Sequence, residues 1–110
     1  MPYIHMKTNV KVPSAMELQK DLGEAIRKIP NKSPEVTMIE VNDQQPLFFA
    51  GTDAPCAMVA TQVNFTTDES TTPEYCKAVI DLLSEKLGIE RSRIYVNVNR
   101  IDSWYSGKSI

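Results

Sequence analysis

The chain has 110 residues, of which 42% are hydrophobic and 24% charged, and its 12 basic and 14 acidic side chains leave a net charge of −2. These values are typical of one globular domain, which we expect to span residues 1–110. The weak negative charge gives no general attraction to nucleic acid or to an anionic membrane surface, and no segment is apolar enough to span a bilayer. We therefore expect neither nucleic acid nor a membrane as a partner.

The few metal-binding side chains and the N-terminal sequence bear on cofactors and compartment. Cys56, Cys76 and the single histidine, His5, are too few for a structural zinc site, so we expect no metal or cofactor. His5 has no acid–base partner that the sequence identifies, which favours a structural role. The N-terminus lacks the apolar run of a signal peptide, which predicts a cytoplasmic protein with free thiols, or one released without a signal peptide.

The first half of the chain predicts a strand, a helix and a second strand. Residues 3–8 (YIHMKT) predict the first strand. Residues 14–17 (SAME) form a capping box, and apolar residues recur at helical spacing over residues 15–29. Pro30 ends this helix, and residues 36–41 (VTMIEV) predict the second strand.

The second half repeats this order after a turn-rich stretch. Residues 47–50 predict at most a short strand, whereas residues 57–65 (AMVATQVNF) predict a long one. Thr72 is the expected cap of a second helix, with proline at its first position, and Gly88 is expected to end it in a Schellman motif. Residues 94–99 (IYVNVN) predict the last strand.

Two strand–helix–strand units predict an α/β (α+β) fold. Each unit should be a right-handed βαβ crossover, so that together they form a four-stranded sheet with both helices on one face. The strands are apolar on both sides, however, because Met58 and Tyr95 alternate with residues that face the helices. An uncovered face carrying these side chains predicts oligomerisation through the sheets.

Proline directly after the initiator methionine has two interpretations. Pro2 lacks a backbone N–H and is tolerated at the first position of a strand, so its role could be local. Alternatively, removal of Met1 would leave Pro2 as a free secondary amine at the chain terminus. On the residues alone, the local role is favoured.

Six separated segments, in order, resemble the macrophage migration inhibitory factor family of the tautomerase superfamily. They are the Met-Pro start, Thr8-Asn9, Lys32-Ser33-Pro34, FAGTDAPCA at 49–57, RIYVNV at 93–98 and a tryptophan near the C-terminus. The resemblance runs almost end to end. It implies a homotrimer whose three sheets surround a central channel, with active sites between adjacent subunits.

The resemblance also implies keto–enol tautomerisation of small 2-oxo acids such as phenylpyruvate, with Pro2 as the base. The physical chemistry supports that role, because a base works best when its conjugate acid has a pKa near the working pH. An α-amino group titrates near 8 and a lysine side chain near 10. A pocket that desolvates the ammonium form beside a cation would lower the pKa further.

The remaining site residues are carried over from the family by position. Lys32 matches the lysine that binds the substrate carboxylate, and Asn64 lies where a backbone N–H holds the same carboxylate. Tyr95 and Asn97 share one strand face and match the pair that reaches into the neighbouring subunit's pocket. Trp104 matches the tryptophan at the pocket mouth.

Three departures from the family pattern modify these expectations. Val36 and Ile110 stand where aromatic residues are common, which predicts a less aromatic pocket and puts the preference for phenylpyruvate in doubt. Val59 replaces the second cysteine of a CxxC pair, so thiol–disulfide chemistry through that pair is excluded. The alternative function is that of a cytokine-like binding protein, which would act on a host receptor if secreted, with tautomerase activity incidental.

Overall fold

The computed structural model describes all residues, 1–110, and contains two α-helices and one four-stranded sheet. The elements in chain order are β1 (Tyr3–Thr8), α1 (Ala15–Ala25), β2 (Met38–Asn42), β3 (Ala57–Asn64), α2 (Thr72–Leu87) and β4 (Ile94–Ile101). The strand order is β2-β1-β3-β4. β1 pairs with β2 and β3 pairs with β4 in parallel, while β1 and β3 are antiparallel. The predicted pair of βαβ units in one sheet is confirmed.

The first unit departs from prediction at its element boundaries. α1 ends at Ala25 and continues as a 3₁₀ turn, Ile26–Lys28, rather than as α-helix to residue 29. Val36 belongs to a second 3₁₀ turn, Pro34–Val36, so β2 begins only at Met38. In both places a nearby proline lacks the N–H that regular helix or strand pairing needs.

The second unit differs in its turns and caps. Residues 47–50 form no strand, only a bridge between Phe49 and Thr52. Thr72 is the first residue of α2 and not its cap, because its hydroxyl donates back to the Glu69 carbonyl at 2.9 Å. Gly88 ends α2 at φ 66° with one backbone bond, to the Ser84 carbonyl, which is the simpler αL motif and not the predicted Schellman motif.

Both helices pack on one face of the sheet and enclose the core. Alternate residues of β1 and β3 point into it, as the pleat of a strand requires. The hydrophobic side chains that are essentially inaccessible to solvent are Ile4, Met6, Leu22, Ile26, Ile29, Val59, Val63, Tyr75, Val79, Leu83 and Ile89. Neither helix is long and apolar enough to cross a lipid bilayer.

The opposite face of the sheet is uncovered in the single chain, but it is more polar than predicted. Tyr95 is exposed there, as expected from its strand position. On β1 and β2, however, the Tyr3 hydroxyl donates to Glu40, and the Asn42 amide donates to the other Glu40 oxygen at 2.9 Å. His5 Nε2 lies 3.8 Å from that second oxygen, which gives His5 an acidic neighbour that the sequence did not identify. An assembly through this face would therefore bury polar groups as well as apolar ones.

Candidate active site

A groove with a volume of about 820 Å³ lies where β1 begins, and both ends of the chain contribute to it. Its walls are formed by Met1, Pro2, Tyr3, Val36, Met38, Glu40, Gln62 and the C-terminal segment Trp104–Lys108. The groove therefore opens onto the uncovered face of the sheet. Of the predicted site residues, Pro2 and Trp104 line it directly.

Pro2 is buried and is fixed at the head of β1. Its carbonyl accepts a hydrogen bond from the Met38 N–H at 3.0 Å, which extends the parallel β1–β2 ladder by one residue. The missing N–H of proline costs no hydrogen bond here, because the strand begins at the next residue. In the unprocessed chain the Pro2 nitrogen is an amide and has no basicity.

Trp104 joins the C-terminal segment to the N-terminus. Its indole Nε1–H donates to the Met1 carbonyl oxygen, and the side chain is half-buried. The segment is held upstream by Ile101, the last residue of β4, whose carbonyl accepts the Phe65 N–H at 3.1 Å. The indole is thus placed beside the peptide group that precedes Pro2.

Lys32 is positioned by the tight turn between α1 and β2. Asn31 has φ 67°, a left-handed conformation that asparagine tolerates, and the Lys32 N–H bonds the Ile29 carbonyl at 3.2 Å. Gly23 lets α1 approach this segment, because a Cβ there would lie 3.2 Å from Pro34 Cβ. Lys32 does not line the groove, but its positive charge acts on the amino group of Met1, which does. Burial, and secondly the Lys32 charge, lower the pKa of the Met1 amino group from its usual value.

Asn64 uses its side chain locally and not in the groove. Its Oδ1 accepts from the Thr66 N–H and hydroxyl, both at 3.0 Å, and so stabilises the turn after β3. The backbone N–H of Asn64, unlike its side chain, is directed towards the start of β1. The Phe65 N–H bonds β4, and successive N–H groups of a strand alternate in direction, so the Asn64 N–H faces the start of β1. The expectation that only the backbone of Asn64 matters stays a prediction.

Tyr95 and Asn97 are not brought to Pro2 within one chain. Tyr95 pairs with Met58, and Met58 pairs with Lys7, at the other end of β1 from Pro2. From standard strand dimensions, Tyr95 lies about 16 Å along and about 10 Å across the strands from Pro2. Tyr95 is 59% exposed, and its ring packs edge-on against that of Phe49, with centroids 5.1 Å apart.

The groove also contains residues that the sequence did not indicate. Tyr3, Glu40, Tyr105 and Lys108 also line it. Hydrogen bonds from Tyr3 and, secondly, from Asn42 hold the pKa of Glu40 below its usual value. The hydrogen bond between Tyr3 and Glu40 also raises the pKa of Tyr3. Strand alternation from the buried Ile4 would have placed Tyr3 on the uncovered face, but the partner strand's register was needed to find Glu40.

The two positions where an aliphatic residue stands in place of an aromatic one have different outcomes. Val36 lines the groove, so an aliphatic side chain does replace an aromatic one there. Ile110 is 89% exposed and is not part of the groove wall.

Comparisons with known proteins agree with this architecture. Residues 1–109 match the family described as macrophage migration inhibitory factor (MIF). The chain is 28% identical to the mouse protein of that name over 98 residues, which are 88% of this chain and 85% of the mouse protein. It is 27% identical to the Trichinella spiralis homologue over 113 residues, with 97% of both chains covered.

Solved structures show the same fold. Leishmania major MIF2 superposes with a TM-score of 0.86 at 20% identity, covering 97% of this chain and 94% of that one. The Trichinella spiralis protein superposes with a TM-score of 0.75 at 22% identity, covering 93% and 95%. With the family match extending over residues 1–109, the chain belongs to the macrophage migration inhibitory factor family of the tautomerase superfamily.

Proposed function

We propose that this protein is a keto–enol tautomerase of small 2-oxo acids in which Pro2, freed by removal of Met1, is the general base. The observation that carries the proposal is the burial of Pro2 at the wall of a groove that the Lys32 charge reaches. Both effects disfavour the protonated amine, so the Pro2 nitrogen would be neutral and able to accept a proton near neutral pH.

In this mechanism Lys32 and the Asn64 N–H hold the substrate carboxylate at the head of β1. Pro2 removes a proton from C3 of the 2-oxo acid, giving an enolate that is then protonated on oxygen, or runs the reverse reaction. The rigid pyrrolidine ring fixes the direction of the nitrogen lone pair, which favours a reproducible attack geometry. The test is ketonisation of phenylpyruvate by protein whose Met1 removal is confirmed by intact mass.

Replacement of Lys32 should change both substrate binding and the pH dependence. We expect Lys32→Gln to raise KM, because the carboxylate loses a cationic partner. It should also raise the pKa of the Pro2 ammonium, since a nearby positive charge that disfavoured the protonated form is gone. The acidic limb of kcat/KM should therefore move to higher pH. Lys28→Gln, on the same turn-bearing segment, is the matched control, and an acidic limb unmoved in Lys32→Gln would contradict the assigned role.

We further propose that the protein is a homotrimer in which Tyr95 and Asn97 complete the groove of a neighbouring subunit. The separation of Tyr95 from Pro2 within one chain supports this, as does the exposure of the Tyr95 ring. Light scattering should give three times the 12.4 kDa mass of the chain. A monomer at micromolar concentration would argue against a shared site.

Subunit mixing tests the shared site directly. Pro2→Gly and Tyr95→Ala should each be impaired, the latter about tenfold or more through lost positioning. Unfolding and refolding the two variants together should restore activity at about one quarter of the sites, because only one neighbour combination in a ring pairs an intact Pro2 with an intact Tyr95. Mixing the folded variants without unfolding is the control. No recovery after co-refolding would place both residues in the same subunit's site.

A further inference from the structure

We propose that the Trp104 indole N–H is a catalytic hydrogen-bond donor that holds the 2-oxo oxygen of the substrate while negative charge develops on it. The inference rests on the proposed tautomerase function and assigns to Trp104 a chemical step beyond its place at the pocket mouth. Its basis is the hydrogen bond from the indole to the Met1 carbonyl oxygen. In the unprocessed chain, that carbonyl oxygen stands in for the carbonyl oxygen of the substrate.

The position of the donor relative to the base follows from covalent geometry. The Met1 carbonyl oxygen is attached through one carbon to the Pro2 nitrogen, so the two atoms are about 2.3 Å apart. An indole nitrogen bonded to that oxygen is therefore within about 5 Å of the Pro2 nitrogen. A base attacks a C–H at about 3–3.5 Å between heavy atoms, and the 2-oxo oxygen is one carbon beyond the attacked C3. The substrate oxygen thus falls within reach of the same N–H.

The electron balance of the step identifies where a donor is needed. The C3–H bond breaks and its proton goes to the Pro2 nitrogen, while its electron pair forms the C2=C3 bond. The C2=O π pair moves onto the oxygen, which becomes an enolate. Water then protonates the enolate, and Pro2 returns its proton to water, so no other reactant is required. The indole keeps its hydrogen throughout, because tryptophan is a donor only.

The polar groups that already have other partners near Pro2 are less suited to this oxygen. Lys32 and the Asn64 N–H are assigned to the carboxylate, and Glu40 is an acceptor whose pKa is lowered, so it would repel an enolate. The Tyr3 hydroxyl is already engaged with Glu40. Trp104 is half-buried and anchored close to the end of β4, so its N–H is prepositioned before the substrate binds.

The chain contains one tryptophan, so its chemistry can be changed without affecting any other residue. Growth of a tryptophan auxotroph on the benzothiophene analogue of tryptophan replaces the indole N–H by sulfur and retains the ring shape. We expect kcat for phenylpyruvate to fall about 10- to 100-fold. This loss is at or below that caused by removing a donor from an enclosed oxyanion hole, because the groove is open. KM should change little. A fluorinated tryptophan, whose N–H is a stronger donor, is the matched control and should retain or raise kcat.

A second measurement separates this assignment from the proposed function. In protein labelled with ¹⁵N at the indole, the single Nε1–H signal should move when Met1 is removed and move again when phenylpyruvate is added. If the processed protein is inactive but its Nε1–H signal still moves when phenylpyruvate is added, the proposed tautomerase function is refuted. The indole would then remain a contact for 2-oxo acids. An unmoved signal, or full kcat in the benzothiophene protein, would overturn the assignment of Trp104.

Discussion

Protein that retains Met1 should have no measurable tautomerase activity, and processed protein with Pro2→Gly should lose about 10²–10⁴ in kcat/KM for phenylpyruvate. In the retained form the Pro2 nitrogen is part of a peptide bond, and its lone pair is delocalised into the carbonyl. Moreover, Met1 itself lines the groove and occupies the partner position of the Trp104 indole. The glycine variant keeps a terminal amine, so a small residual activity is expected.

The activity of the processed enzyme should be lost at acidic pH. In the unprocessed chain, burial and then the Lys32 charge lower the pKa of the Met1 amine, one residue before Pro2, and the buried Pro2 amine of the processed chain should be affected in the same direction. Activity requires the neutral amine, so it should be lost as the pH falls through this pKa, at a pH below the usual α-amino value of about 8. An acidic limb at or above that value would contradict a desolvated base.

Controls make the result specific to the terminal nitrogen. Pro46→Gly, in an exposed loop, should leave activity unchanged. Retained protein can be prepared by inhibiting methionine removal during expression and verified by intact mass. Comparable turnover by the retained and processed forms would remove Pro2 from the mechanism, whatever the effect of the glycine substitution.

The architecture could be predicted from the sequence because it depends on local periodicity. The capping box at residues 14–17 and the alternation in residues 57–65 each describe a neighbourhood of a few residues, and the crossover within each βαβ unit follows from handedness. The boundaries at Val36 and Thr72 were wrong because 3₁₀ turns compete with regular elements at prolines and at hydroxyl side chains that bond backward.

Residues of the site could be predicted only where their position in the chain identifies them. Pro2 and Trp104 were identified by resemblance and do line the groove. Glu40 was missed because its contact with Tyr3 spans 37 residues and depends on the β1–β2 register. The structure of a single chain does not bring Tyr95 to a site, since the groove that it is proposed to complete belongs to another subunit.

The stability of the fold should depend strongly on the buried hydroxyl pair at its centre. Tyr75 on α2 is inaccessible to solvent, and its hydroxyl lies 2.6 Å from Thr61 Oγ1 on β3. Tyr75→Ala should lower the free energy of unfolding by about 3–5 kcal/mol, through lost burial and the cavity left behind. Burial raises the pKa of Tyr75, so the phenol stays neutral at physiological pH and this loss should be independent of pH there.

The hydrogen bond itself can be separated from the packing by a double-mutant cycle. Tyr75→Phe leaves the ring in place but strands the Thr61 hydroxyl, which should cost about 1–3 kcal/mol, and Thr61→Val should do the same from the other side. Because the double variant leaves no buried hydroxyl unpaired, its loss should be smaller than the sum of the two single losses. Urea unfolding at fixed protein concentration measures all four proteins, since stability of an oligomer depends on that concentration. Additive losses would show that the two hydroxyls are not coupled, and that Tyr75 contributes to the packing of α2 on β3 through its apolar contacts alone.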